Sequence, residues 1–306
     1  MPAGTKTIQR RIKSVTNTKK ITKAMEMVAA AKMRKATTSV LGTRPYSGLA
    51  WQIIGNIGKI KEENFHPLLS AKEKKSGKSM VILITSDKGL CGGFNAQMFR
   101  EIKNFVRSHS VIPAKAGIQP LDFIILGKKG EGFAYREKFS IAAVFENLTN
   151  NPKFTDIKSI AKMAMDKFID GTYDKVYVAY TDYVSTLVQK PCVRQLLPII
   201  RDEDLGSTEK LKNQKTEKQD ATEYLFEPEK NELLEMLLPK IVETQVFQAV
   251  LESVASEHSA RMVAMKNATD AAKDMVDDLR FAYNKIRQAS ITREISEISA
   301  GKAALE

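Results

Sequence analysis

Cysteine and histidine are nearly missing from this chain. Its 306 residues hold two cysteines, Cys91 and Cys192. That is too few for a disulfide framework, so a reducing compartment is expected. The three histidines, His66, His109 and His258, are scattered without ligand spacing, which argues against a metal site. Long apolar runs are missing too. The longest, such as Met80–Ile84 and Leu196–Ile200, fall far short of the roughly 18 residues a bilayer span requires and suit buried strands. The basic stretch Met1–Arg11 is followed by no apolar segment, unlike a secretory signal, and no Arg/Ser-rich transit segment precedes the folded part. Any membrane role is therefore expected to be peripheral. Nor does the chain offer a Ser/His/Asp set, an HExxH pair or paired catalytic carboxylates. It is not expected to be an enzyme on its own.

Glycine and proline are absent from residues 5–38, a stretch rich in Ala, Lys and Met, all good helix formers. Ile8, Ile12 and Val15 recur at helical spacing, and so do Ile21, Met25 and Val28. The six-residue step from Val15 to Ile21 predicts a skip in the seam, and Gly42 and Pro45 predict a bend or break before a second helical stretch, Tyr46–Ile60. From Pro239, which suits the first turn of a helix, no Gly or Pro occurs until Gly301. Along that stretch Leu251, Ala255, His258, Met262, Met265, Thr269, Ala272, Val276, Leu279, Tyr283, Ile286 and Ser290 step 4,3,4,3 without a slip. Such a heptad seam predicts a left-handed coiled coil. The N-terminal helix is the available partner, and the chain between the two lets them run antiparallel. On this seam His258 and the methionines read as packing residues.

The middle alternates strand and helix. Met80–Thr85, Asp122–Leu126, Ile141–Phe145 and Lys175–Tyr180 read as strands, and Phe94–Val106, Lys129–Lys138 and Asp156–Ile169 as helices. The alternation predicts a small doubly wound, mainly parallel sheet. Val193–Ile199 follows a strand with no helix between, so it should add antiparallel. The expected fold class is thus α/β plus a long coiled coil, with antiparallel N- and C-terminal helices flanking the sheet domain. The expected divisions are an N-terminal helix over 1–60, a central α/β domain over 61–202, a polar loop over 203–228, and a short helix followed by the long C-terminal helix over 229–306. Residues 108–120 and 203–222 read as surface loops.

Two features invite a functional reading. The loop Thr85–Phe94 (TSDKGLCGGF) follows a strand and precedes a helix, where phosphates bind in doubly wound folds. It matches neither GxxxxGK[ST] nor GxGxxG, so its glycines read as a tight turn rather than a nucleotide cradle. The second is charge. The net charge is +12, and Lys6 to Lys35 holds ten Lys/Arg against Glu26 alone. Such a block suits an acidic partner. Nucleic acid is the alternative reading, although the block lacks interleaved aromatics and any recognised reader motif.

Three blocks then carry a likeness. They are Ile21–Ala30 (ITKAMEMVAA) continuing to Lys35, the loop Ser86–Asn95, and Arg261–Asp270 (RMVAMKNATD) with Tyr283-Asn284-Lys285 and Arg287–Ile295 (RQASITREI). Over nearly all its length the chain resembles the γ subunit of F-type ATP synthases, with Lys302 after Gly301 and longer loops at 108–120 and 203–222 as departures. The regulatory cysteine insertion of chloroplast γ chains is absent, so thiol control is not implied. The resemblance implies a non-catalytic rotor without a cofactor. Its coiled coil would turn inside a ring of α and β subunits, and its α/β domain would sit at the base with ε and the membrane c-ring. It also implies partner contacts from Lys19, Lys20, Lys23, Met25, Asp87, Lys88, Cys91, Arg261, Arg287, Gln288, Thr292 and Glu294. Nucleic acid would not be a partner. Without a transit segment, the expected location is the cytoplasmic side of a bacterial inner (plasma) membrane, peripheral through the complex.

Overall fold

A computed structural model of the chain describes residues 3–58, 66–69, 76–110, 121–149, 152–199 and 230–303. The expected loops at 108–120 and 203–222 lie almost wholly outside these residues. Chain contacts divide the protein into two compact units, one of residues 1–31 with 261–306 and one of residues 32–260.

The second unit carries the sheet. Its central strand, β1 (Ser79–Ile84), is buried throughout, as a strand covered on both faces must be. It pairs in parallel with β2 (Leu121–Leu126) and with β4 (Lys175–Tyr183), and β2 pairs in parallel with β3 (Ser140–Phe145). β5 (Gln189–Leu197) joins β4 antiparallel through a short hairpin, as expected from the missing helix, and the order is β3-β2-β1-β4-β5. Three helices cross between the parallel strands: α2 (Phe94–Ser110), α3 (Lys128–Glu137) and α4 (Phe154–Ile169).

Side-chain alternation along the strands builds two cores. Val81, Leu83, Phe123 and Ile125 face Met98, Ile102 and Phe133 of α2 and α3. Met80, Ile82, Ile84, Ile124 and Leu126 belong to the other core, with Ile160 and Phe168 of α4. That second core also takes in Ala36 and Val40 from the N-terminal helix and Leu238, Val242, Val246 and Val250 from the C-terminal one.

These two helices are longer than the sequence suggested. α1 runs Ala3–Gly58 with Pro45 inside it, and the final helix, α5, runs Lys230–Ala303 with Pro239 inside it. Of the bend or break expected at Gly42–Pro45, a break is therefore ruled out, and the expected short helix before Pro239 is continuous with the long one. Proline removes one backbone hydrogen bond. Burial of Val40 before Pro45, and of Leu238, Ile241 and Val242 around Pro239, outweighs that loss.

In the first unit α1 and α5 pair antiparallel. The Thr22 and Thr269 hydroxyls lie 2.8 Å apart, which sets the register. On α5 the expected seam holds as far as Tyr283: Met265, Thr269, Ala272 and Val276 are buried, and Leu279 and Tyr283 half-buried, whereas Ile286, expected on the seam, is exposed. On α1 the expected skip is not there. The inward residues are Thr5, Ile8, Ile12, Val15, Lys19, Thr22, Glu26 and Ala29, an unbroken 3,4 repeat. Ile21 and Val28 instead point outward, 60% and 57% exposed. Heptad continuity decides the inward face, and each residue step turns the side chain ~100° round the helix. Thr22 and Ala29 are also small enough to let the backbones approach, which Ile21 and Val28 are not.

Candidate functional site

The chemistry-bearing residues fall into three places, one on the paired helices, one near the end of α5 and one at the carboxyl end of the sheet. On the paired helices, Lys19, Lys20 and Lys23 are brought together along a shallow groove with Thr16, Met27 and Thr269. Their turn of α1 is held by an ion pair of 3.0 Å between Lys23 and Glu26. Met25 is half-buried beside them, while Met27 is 58% exposed. The face therefore presents ammonium groups around exposed apolar carbon.

In the Thr22–Thr269 register, Ala3 stands across from about Gln288. Among the described residues none of α1 stands opposite the α5 residues beyond it, and 291–300 are all exposed. Arg287, Gln288, Thr292 and Glu294 lie exposed here, Glu294 accepting a hydrogen bond from Ser290 at 3.3 Å. Ile291, Ile295 and Ile298 follow at helical spacing, and all three are exposed. Arg261 stands apart from this group and is half-buried.

At the carboxyl end of the sheet the glycine-rich loop is held from inside. Asp87 accepts hydrogen bonds from the Lys128 N–H (3.3 Å), the Asn147 N–H (3.2 Å) and the Thr149 hydroxyl (2.7 Å). One carboxylate thus ties together the loops that follow β1, β2 and β3. Cys91 is buried behind the loop, its Sγ 3.3 Å from Asn95 Nδ2 and 3.8 Å from Ser86 Oγ. Neither residue is displayed at the tip. What stands out instead is Lys88 and Leu90, the latter 61% exposed in a left-handed conformation (φ 62°). Gly127 makes the next loop possible. Its φ is +96°, and a Cβ there would stand 2.2 Å from the Thr85 carbonyl oxygen.

No group of three His, Cys, Asp or Glu able to hold a metal occurs among the described residues. Burial pushes up the Cys192 thiol, which argues against a reactive thiolate on β5. The backbone N–H groups of Lys128 and Asn147, which could have met a phosphate, are met by Asp87. Sequence reasoning missed the outward display of Ile21, Val28 and Leu90. For the first two the signal was present, since only the residues one place along keep the 3,4 repeat.

A pair of antiparallel helices in one unit and a five-stranded α/β sheet in the other are the architecture to be compared with known proteins. A family model described as ATP synthase matches residues 4–305. The ATP synthase gamma chain of Pelotomaculum thermopropionicum is 43% identical over 98% of this chain and 98% of its own length. That of Roseiflexus castenholzii is 41% identical over 100% and 99%. Among solved structures, a chain of the Euglena gracilis mitochondrial ATP synthase OSCP/F1/c-ring aligns with a TM-score of 0.64 at 19% identity, covering 99% of this chain and 94% of that one. A chain of the central stalk/c-ring of Tetrahymena thermophila mitochondrial ATP synthase aligns at 0.55 and 23% identity, covering 81% and 99%. The chain belongs to the ATP synthase gamma-chain family. As such it is a central-stalk, non-catalytic subunit, and the nucleic-acid alternative has no support.

Proposed function

We propose that this chain is the turning shaft of a membrane-bound, rotary ATP synthase. Its paired helices work inside a ring of α and β subunits, and its sheet domain meets ε and the membrane c-ring. The observation that carries this reading is the outer face of the paired helices. Apolar groups large enough to fill a core stay in solvent: Ile21, Met27 and Val28 on the same stretch of α1 as Lys19, Lys20 and Lys23, and Phe281 on α5. Exposed apolar surface of this kind marks a binding face, and the ammonium groups select acidic loops. Lys88 and Leu90 form a second contact at the sheet domain. Arg261, Arg287, Gln288, Thr292 and Glu294 add polar contacts along α5.

Among the described residues no helix is long and apolar enough to cross a membrane. Attachment to the cytoplasmic face of a bacterial inner membrane therefore goes through the partners. A proton crossing delivers ~2.3 kcal/mol per 100 mV, and two paired helices resist twisting better than one.

Ala272, buried on the α5 seam, provides the test. Proline there costs ~3 kcal/mol or more and kinks the helix. Protons pumped per ATP hydrolysed, in vesicles holding equal amounts of assembled complex, should fall while hydrolysis persists. A normal ratio for Ala272→Pro would end the rotary-shaft reading.

A further inference from the structure

Apolar packing holds α1 and α5 onto the sheet, but such packing is non-directional and sets no angle of rotation about a helix axis. One polar cluster in the sheet unit does set it. Arg44, on α1, reaches across 208 residues of sequence to Glu252 on α5, with Nε 3.4 Å and Nη2 3.3 Å from Oε1. The same Nη2 donates to the Tyr183 carbonyl of β4 at 3.0 Å and lies 4.0 Å from Asp182 Oδ1. Glu252 also accepts from Gln248 Nε2 at 3.0 Å, and the Thr43 hydroxyl donates to Gln248 Oε1. Further along α5, the Ser256 hydroxyl donates to the Thr181 carbonyl (3.2 Å) and the Ser259 hydroxyl to the Thr186 carbonyl (2.6 Å). A single guanidinium thus grips α5 and β4 from α1, and serines continue the grip along α5.

We propose that Arg44 and Glu252 are positioning residues. They form a directional clamp that fixes both long helices in rotation against β4, so that torque passes between sheet and helices without slip. The inference rests on the rotary reading above. Guanidinium–carboxylate bonds have fixed geometry. A slip of α5 by one residue would turn Glu252 ~100° away, whereas Val246 and Val250 would find other apolar neighbours.

The clamp also answers to protons. The groups facing Glu252 are Arg44 from α1, Tyr180 and Asp182 from β4, Cys192 and Arg194 from β5, and Gln248 on its own helix. Burial, the largest cause, and then Asp182 lift the Glu252 carboxyl above its ordinary value, with Gln248 and Arg44 opposing. Acid therefore neutralises this carboxylate earlier than an exposed one and loosens the Arg44 grip.

The test compares Arg44→Met, Arg44→Lys, Glu252→Gln and Ala272→Pro in membrane vesicles with matched complex content. Arg44→Met keeps the stem and loses the fork. We expect it to hydrolyse ATP at the wild-type rate while pumping less than half as many protons per ATP. Arg44→Lys should fall between it and wild type. Lowering the pH should reduce the wild-type ratio relative to that of Glu252→Gln, which has no proton to take up. A wild-type ratio in Arg44→Met with a lost ratio in Ala272→Pro overturns the clamp and leaves the shaft standing. Unchanged ratios in both overturn the shaft reading and the clamp with it. Should Arg44→Met not assemble, the milder Arg44→Lys decides: a wild-type ratio there overturns the clamp.

Discussion

In the sheet unit whole strands vanish from solvent: Met80, Val81, Ile82, Leu83 and Ile124 through Leu126 are fully enclosed. In the paired-helix unit the most deeply buried side chains are those of Thr5, Ala29, Met265, Thr269, Ala272 and Val276, mostly small or polar. Several of its larger apolar groups, among them Ile21, Met27, Val28 and Phe281, face outward. Two layers of helix cover both faces of a sheet, whereas two paired helices have a single narrow seam in which to bury side chains. The sheet unit therefore satisfies its hydrophobic residues internally. The paired helices leave several of theirs in solvent, on the face proposed above as a binding surface.

The largest effect should come from the sheet core. Phe168 is fully buried, and Phe168→Ala should cost about 3–5 kcal/mol, transfer and cavity together. Val276→Ala, in the paired helices, should cost about 1–2 kcal/mol for two methyl groups at ~0.8 kcal/mol each. Urea unfolding of the purified chain followed by circular dichroism measures both, and equal costs would erase the contrast drawn above.

Next comes backbone strain at the loop junction. Gly127→Ala places a Cβ against the Thr85 carbonyl at a positive φ, and a residue forced into such a conformation costs about 1–3 kcal/mol. Gly132, inside α3 with open space around it, gives the opposite sign: Gly132→Ala should stabilise by about 0.5–1 kcal/mol. The two midpoints must move in opposite directions for the loop argument to hold.

A smaller effect depends on pH. The Glu252 carboxyl titrates higher in the folded chain than in the unfolded one, chiefly through burial. Its contribution is therefore complete below the ordinary carboxylate range and is lost as pH rises through the folded value. Across that window Glu252→Gln should flatten the stability profile, read as the thermal midpoint of each protein against pH. Parallel profiles would mean that Glu252 is not the titrating group.

The sheet was readable because its strands are short β-branched runs between turn residues. Each expected strand was found within four residues of its place at either end, and the antiparallel addition of β5 followed from the missing crossover helix. The α5 seam was readable because it keeps its repeat over many turns. The α1 seam was misread because apolarity was followed where spacing should have decided: Lys19, Thr22 and Glu26 do not look like interior residues until Thr269 stands opposite. The prolines at 45 and 239 were misread because the burial that carries a helix past them comes from the sheet. Of the candidate site, the lysine cluster could be found from charge alone. The inward turn of Asp87 depends on backbone N–H groups 41 and 60 residues further on, and Arg44–Glu252 on a contact across 208 residues of sequence.

The smallest effect on stability is the sharpest test of the comparison. Ile21 and Val28 lie two turns apart on the outward face of α1. Replacing both with serine removes little buried area, and surface changes of this kind usually stay within about ±0.5 kcal/mol. The isolated chain should unfold at the wild-type midpoint. The same surface in a complex would be enclosed, where fully burying a large aliphatic side chain gives about 1.5–3 kcal/mol, so assembly should suffer although folding does not. Reversing Lys19, Lys20 and Lys23 to Glu should weaken assembly too, but with a salt dependence that the serine pair lacks. Reconstitution with the catalytic ring at low and high salt separates the two contributions. If the serine pair lowers the unfolding midpoint and leaves assembly intact, Ile21 and Val28 belong to the fold after all. The outward face would then lose its claim to be a recognition surface.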